Sequence, residues 1–524
     1  MSNTLSSSGF EVAKTGEVGR DGRSLSLYAG IAVASVVYFA GLLYYAQTRP
    51  IEADEGYYIT AARLVWEGKV PYHDFSYQQA ALLPYLYSWV WAVQPRSLVA
   101  MRYLSSALGA SAVLLWGVSL VSLRRLPTKV ALATFAAILL NPSWVSWNVL
   151  VKTFAVANFL ISIAIIALYA ALHAERRVWY VAAGLALGAC ASVRSLYAPL
   201  VPVVLLWLIR REWRVSKWRV SKAIFFLGGA ACGVLPMIVS LYFDRQAFLF
   251  NNLQYRNLLN PHVSFRHWAH SYLLTALLLA QHAYFVLTLL LAIVGAVSLW
   301  KLCRWKHTLY STYDYEFCQL TLLMLVVYVL TSSIPFPVYD QYFTSPLLPF
   351  LVPFIAEGLR RIIVQFKTAG LAVLGVLALV FFVPGLKIEI DTYSRSLSMR
   401  LSSYRSVAQV IETNSSPDEV VLSIWPGYVM ESGRQYFAGS ENHFNYMVGY
   451  KISPEMRMRF HVLSKEDVTN AISHGVPDLF VSGWNTYHLE STMTPDEVAA
   501  FHAALDANYS LVGRIDQVGV YRRR

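Results

Sequence analysis

The chain has 524 residues, 56% of them hydrophobic and 14% charged, with a mean hydropathy of +0.44. Soluble domains carry roughly a quarter of their residues as charges, so this composition excludes a water-soluble globular protein and implies a polytopic membrane protein. The formal net charge of +12 sits in short basic clusters between apolar runs, which reads as membrane orientation rather than nucleic-acid binding.

Residues 1–24 are polar and rich in Ser and Gly, as in a disordered cytoplasmic tail. A crossing helix needs about 20 apolar residues. Such runs are predicted near 25–46, 97–122, 130–147, 154–172, 178–193, 196–209, 223–243, 271–300, 317–333, 346–359 and 369–386, about eleven spans. The first is too long for a signal-peptide core and lacks a small-residue cleavage site, so it reads as a retained span. Arg124, Arg125 and Lys129 follow the second span, and Arg176 and Arg177 the fourth. The sixth is followed by Arg210, Arg211, Arg214, Lys217, Arg219 and Lys222, the eighth by Lys301, Arg304 and Lys306, and the tenth by Arg360, Arg361 and Lys367. Basic loops after every even-numbered span place the N-terminus inside and the C-terminus outside. The four cysteines, Cys190, Cys232, Cys303 and Cys318, avoid the predicted outer loops and imply no disulfide framework.

The outer face then receives residues 47–96, 244–270, 334–345 and everything after about 387. In the first loop, Tyr57, Tyr58, Ala61, Leu64 and Val65 form an apolar stripe at helical spacing, ended by Gly68 and Pro71. Ala80–Trp91 carries Tyr85, Tyr87, Trp89 and Trp91, which suits an interfacial segment. The residues from 387 to 524 are polar and turn-rich, and the expectation is a small extracytoplasmic α/β domain after a membrane module at 25–386. Within it Tyr404–Glu412 reads as a helix and Val420–Trp425 and Asp478–Ser482 as strands. Ser464 and Thr494 start capped helices, and Tyr509–Val512 with Val518–Tyr521 forms a hairpin.

Asp54 and Glu55 lie beside the membrane boundary, where carboxylates are costly to desolvate. Asp54 suits the N-cap of the following helix, with Glu55 offered to its dipole. It equally suits a base that takes a proton from an acceptor hydroxyl, and a capped carboxylate is also a positioned one. Asp74 either caps its turn or binds sugar hydroxyls together with Tyr77 and Gln78. Tyr57, Tyr58 and Trp66 either stack on sugar faces or anchor the interface.

An apolar first span, D-E at its outer end, an amphipathic helix and the P-Y-x-D-F-x-Y-x-Q-x-x-L-L-P-Y stretch together resemble the GT-C membrane glycosyltransferases. The closest resemblance is to the protein O-mannosyltransferase and aminoarabinose-transferase branch. It extends to Ser192-Val193-Arg194-Ser195-Leu196, to the run from Gln341 to Phe350, and to Ile424-Trp425-Pro426-Gly427-Tyr428 with Ser432-Gly433-Arg434. The resemblance implies sugar transfer, with inversion, from a polyprenyl-phosphate donor to a glycan, lipid or protein acceptor on the outer face of the bilayer. Asp54 would be the base and Glu55 its support.

That chemistry needs cations beside the leaving phosphate. Arg194, at the outer boundary between the fifth and sixth spans, is one candidate, and Lys152 is a weaker one. Arg245, Arg256, His262, Arg266 and His267 are further candidates in the second outer loop. The related enzymes often carry R-Y-x-x-P-x-x-P, whereas Gln341 stands here in the Arg position. Tyr342 remains as a phosphate partner, and the loss shifts weight to Arg194 or the 244–270 loop. No metal spacing appears, and the acidic pair around Tyr315, Asp314 and Glu316, falls on the cytoplasmic side, so no cofactor is expected. A bacterial inner-membrane location is expected. A transporter or flippase of a lipid-linked or small solute, or an inactive scaffold relative, remains the alternative, although no repeat symmetry is visible.

Overall fold

The computed structural model describes residues 20–123, 126–215, 220–260, 264–305, 312–334, 338–393, 400–483 and 486–524. The tail to residue 19, Arg124, Arg125, Lys217, Arg219, Lys306 and His262 lie outside the described residues.

The chain begins with α1 (Arg20–Thr48), α2 (Glu55–Trp66), α3 (Leu82–Val93), α4 (Leu98–Ser122), α5 (Thr128–Leu139) and α6 (Pro142–Trp147). It continues with α7 (Thr153–Ala174), α8 (Arg177–Val193), α9 (Leu200–Val215), α10 (Ser221–Phe243), α11 (Arg245–Leu249) and α12 (Tyr255–Leu259). Then come α13 (Phe265–Gln281), α14 (Ala283–Trp305), α15 (Thr312–Ser333) and α16 (Leu348–Tyr393), the last broken at Lys367. Among the described residues six helices are long and apolar enough to cross a membrane, within α1, α4, α7, α10, α14 and α15. Shorter apolar helices include α3, α5, α8 and the second part of α16.

Two predicted spans divide. The 130–147 run is α5 and α6, because the Asn141 side chain caps a new helix at Trp144 with Pro142 in its first turn. The 271–300 run is α13 and α14, separated at His282, whose ψ of 88° leaves the helical region. Trp268 and Thr275 of α13 donate to the carbonyls of Ser333 and Val338, while Tyr284 of α14 bonds Glu389. Each helix thus has its own partners.

Described residues of the segments after the predicted fourth, sixth and eighth spans meet at one end of the bundle, where Lys222 pairs with Glu175 and Arg211 with Glu316. Asp314, with Tyr169 and His173, is at that same end. The helices meet closely where small residues allow it. Gly184 and Gly188 of α8 face Gly229 and Gly233 of α10 so tightly that a Cβ on any of them would strike the partner's backbone. Gly295 of α14 and Gly358 of α16 repeat the device.

At the other end lies a five-stranded sheet made of β1 (Val420–Ser423), β2 (Gln435–Tyr436), β3 (Leu479–Ser482), β4 (Tyr509–Ile515) and β5 (Val518–Arg523). Its order is β2-β1-β3-β5-β4, with β1 parallel to β2 and β3, and β5 antiparallel to β3 and β4. The helices α17 (Leu401–Thr413), α18 (Gly427–Met430), α19 (Pro454–Phe460), α20 (Lys465–Ser473), α21 (Thr486–Glu490) and α22 (Pro495–Asn508) surround it. Ser464 and Thr494 both form complete capping boxes, as their spacing predicts. On one side the sheet packs on its own helices through Phe480, Phe501 and Leu505. On the other it shares a core with the first loop, in which Tyr57, Tyr77, Trp425, Tyr428 and Val481 are all buried.

Candidate active site

The turn before α2 sends its neighbouring acids in opposite directions. Glu55 is fully buried and accepts from Arg102 Nε at 2.8 Å, from Val151 N at 3.1 Å and from Glu52 N at 3.0 Å. Arg102 also donates to the carbonyls of Ala46, Arg49 and Pro50, so one guanidinium joins the end of α1 to the start of α2. Glu55 is therefore enclosed in a buried ion pair and points away from the open side of the turn. Asp54 occupies the predicted N-cap position, but its backbone is helical (φ −73°, ψ −16°) and its side chain makes no capping bond. It turns outward instead.

There it meets Lys152, the residue immediately before α7. The ammonium lies 2.8 Å from Asp54 Oδ2, 2.9 Å from Glu52 Oε1 and 3.0 Å from Gln341 Oε1. It is only 3% exposed and rests over the Trp147 ring. A cation at a helix N-terminus opposes the dipole, and the two carboxylates offset that cost. Gln341, in the position where relatives carry Arg, accepts a hydrogen bond from Lys152 rather than repelling it.

Arg194 follows α8 in an extended conformation, 6% exposed, and donates to Thr153 Oγ1 at 3.1 Å. Its guanidinium packs on the rings of Tyr342 (4.3 Å) and Phe154 (5.1 Å). Among the described residues no carboxylate lies within 4 Å of it. Burial and Asp54 push the Glu52 carboxyl up to about 7, with Lys152 opposing. Burial also acts on Asp54, yet Lys152 foremost, then His443 and Arg194, hold it below the ordinary carboxylate range. Asp54 and Glu52 together keep the buried Lys152 protonated.

The other predicted site residues divide. Tyr342 joins Arg194, and Arg256 is half-buried near Tyr339, whose hydroxyl feels burial, Tyr342, Asp54, Lys152 and Arg256. His262 is outside the described residues. Asp74 closes its own turn by accepting from Val70 N at 2.6 Å. Tyr77 is fully buried, stacks on Tyr57 at 4.9 Å, and its main-chain N–H donates to Asn251. Gln78 fastens the loop to Asn442 and Asn445 of the C-terminal unit. Tyr57 and Tyr58 are likewise core residues. Glu52 went unnoticed in the sequence, although the spacing E-A-D-E put a third acid in the same turn.

No protein-family model and no curated protein matches the chain. Among solved structures, ArnT from Cupriavidus metallidurans bound to undecaprenyl phosphate aligns with a TM-score of 0.64 at 14% identity, over 96% of this chain and 98% of that one. The oligosaccharyltransferase of Archaeoglobus fulgidus, in its apo form, gives 0.52 at 12% identity, over 92% and 72%. The chain has the GT-C fold. In this GT-C fold the turn carrying Asp54, the start of α7 and the end of α8 converge at the end of the bundle that bears the sheet, a mixed acidic and basic site enclosed by aromatic rings.

Proposed function

We propose that this protein is a glycosyltransferase that moves a sugar from a polyprenyl-phosphate donor to an acceptor hydroxyl, with inversion and with Asp54 as general base. The observation that carries the reading is the pairing of a partly exposed carboxylate, Asp54, with a buried guanidinium, Arg194, that has no carboxylate partner among the described residues. The fold shared with ArnT bound to undecaprenyl phosphate supports a lipid-phosphate donor. Asp54 Oδ2 is held by Lys152, which leaves Oδ1 as the proton acceptor. The acceptor oxygen forms its bond to the sugar carbon while the carbon–phosphate oxygen bond breaks on the opposite face. The hydroxyl proton goes to Asp54, and the electron pair leaves with the lipid phosphate.

Negative charge builds on that phosphate in the transition state, and a preorganised guanidinium stabilises it most where water is excluded. Arg194 retains unused donors, whereas the three protons of Lys152 already meet three oxygens. This assignment makes the reaction metal-independent, since the ammonium neutralises the carboxylates that a divalent ion would need. The site faces the side of the membrane opposite the basic clusters, the outer side by the charge rule.

The test is transfer from a panel of labelled polyprenyl-phosphate sugars by purified, reconstituted protein. Asp54→Asn keeps the shape and removes the proton acceptor. The expected result is a donor consumed by wild type and a folded mutant slower by about 10²–10⁴-fold. A mutant matching wild type would move the base elsewhere, and a panel left untouched by wild type would defeat the transferase reading.

A further inference from the structure

We propose that Glu52 is a positioning residue of this site: by competing for the Lys152 ammonium, it frees Asp54 to accept the acceptor's proton. The inference rests on the transferase reading above and deepens it. Lys152 has three protons and three oxygen partners, so whatever one carboxylate gains in its pairing the other loses. Glu52 cannot swing away, because its second oxygen accepts from Asp54 N at 2.9 Å. The residue between them is also pinned, as Trp425 Nε1 donates to the Ala53 carbonyl at 2.8 Å. The geometry is a carboxylate–ammonium–carboxylate group in a fixed turn.

The charges around it close the argument. Glu55, in the same turn, is matched by Arg102. Tyr58 of α2 and Gln341 of the Asp340–Tyr342 turn are neutral. His443 from the C-terminal unit and Arg194 after α8 act on Asp54, and Lys152 acts on both acids. With Glu52 ionised, two carboxylates share one ammonium and Asp54 keeps proton affinity. With Glu52 protonated, Lys152 belongs to Asp54 alone and weakens it as a base. Burial places that change near neutrality, about 7 for Glu52. Transfer therefore rises with pH through this region, because the active form is the one in which Glu52 has lost its proton.

The experiment follows the pH–rate profile of wild type, Glu52→Gln and Glu52→Asp. It is paired with infrared titration of the carboxyl band in wild type, Glu52→Gln and Asp54→Asn between about pH 5 and 9. Glu52→Gln retains an oxygen for Lys152, so its fold is kept. Its rate should fall about tenfold or more and lose the limb near pH 7, while Glu52→Asp restores the limb. Burial also pushes Glu441 up to about 7, so one neutral-range carboxyl component is common to all three proteins; the component lost in Glu52→Gln should move to lower pH in Asp54→Asn, where the repelling charge is gone. A limb or band unchanged in Glu52→Gln, or that component unmoved in Asp54→Asn, overturns the proposal. The infrared result needs no turnover, so this proposal and the transferase reading fail separately.

Discussion

Arg102 fixes the position of the turn that carries Asp54, with donors on two of its three nitrogens to backbone carbonyls and on two to Glu55. Both members of the pair are fully enclosed, so replacing the cation alone strands a charge out of water. Arg102→Met is expected to cost about 3–5 kcal/mol, whereas Arg102→Met with Glu55→Met recovers most of it. Thermal unfolding in detergent checks this, and a single variant as stable as wild type would remove the pair from the account. Arg194 is instead the cation we propose to act on the leaving phosphate. Arg194→Gln should lower kcat by about 10²–10³-fold at unchanged folding stability. Arg194→Lys should recover only part of that, because an ammonium cannot reproduce the planar fork stacked on Tyr342. Steady-state kinetics with whichever donor of the panel wild type consumes reads both. The D-E pair was legible at once, since adjacent acids beside an apolar run demand a reason. Their division of labour was not, because it depends on Arg102 and Lys152, which are far along the chain.

At the scale of elements, the α8–α10 contact matters most for the site, since α8 ends one residue before Arg194. Gly188 has the Ala230 carbonyl directly over it, so a larger side chain must push the helices apart. Gly188→Leu should cost about 1–3 kcal/mol and also weaken donor turnover, because the end of α8 moves with the helix. Thermal unfolding together with donor KM distinguishes this from a purely local change, which would leave KM alone. The four-residue spacing of Gly184 with Gly188, and of Gly229 with Gly233, went unread in the sequence, and only the close backbone approach shows what it does. The capped starts of α20 and α22 were legible, being local chemistry. The break at His282 was not: His is no breaker, and the separation of α13 from α14 comes from partners at Ser333, Val338 and Glu389.

For the whole molecule, the expectation that Asp54, Lys152 and Arg194 share one end agrees with the structure, whereas the 130–147 and 271–300 runs, read as single spans, each divide. The small mixed sheet was foreseen in its longer strands, while β2, two residues long, was too short to leave a pattern. The lid-like relation of the sheet to the first loop was invisible, because it is made by single residues. Gly56 has the Trp425 ring where a side chain would be, and Thr60, Arg63 and Gln78 of the loop bond Tyr436, Val429, Asn442 and Asn445. An exchange of the C-terminal unit between relatives would thus carry a foreign ring onto a native glycine. The two halves of the gene are bound to drift together, and a collection of related sequences should show positions 56 and 425 changing in concert: a small residue retained at one wherever an indole is retained at the other.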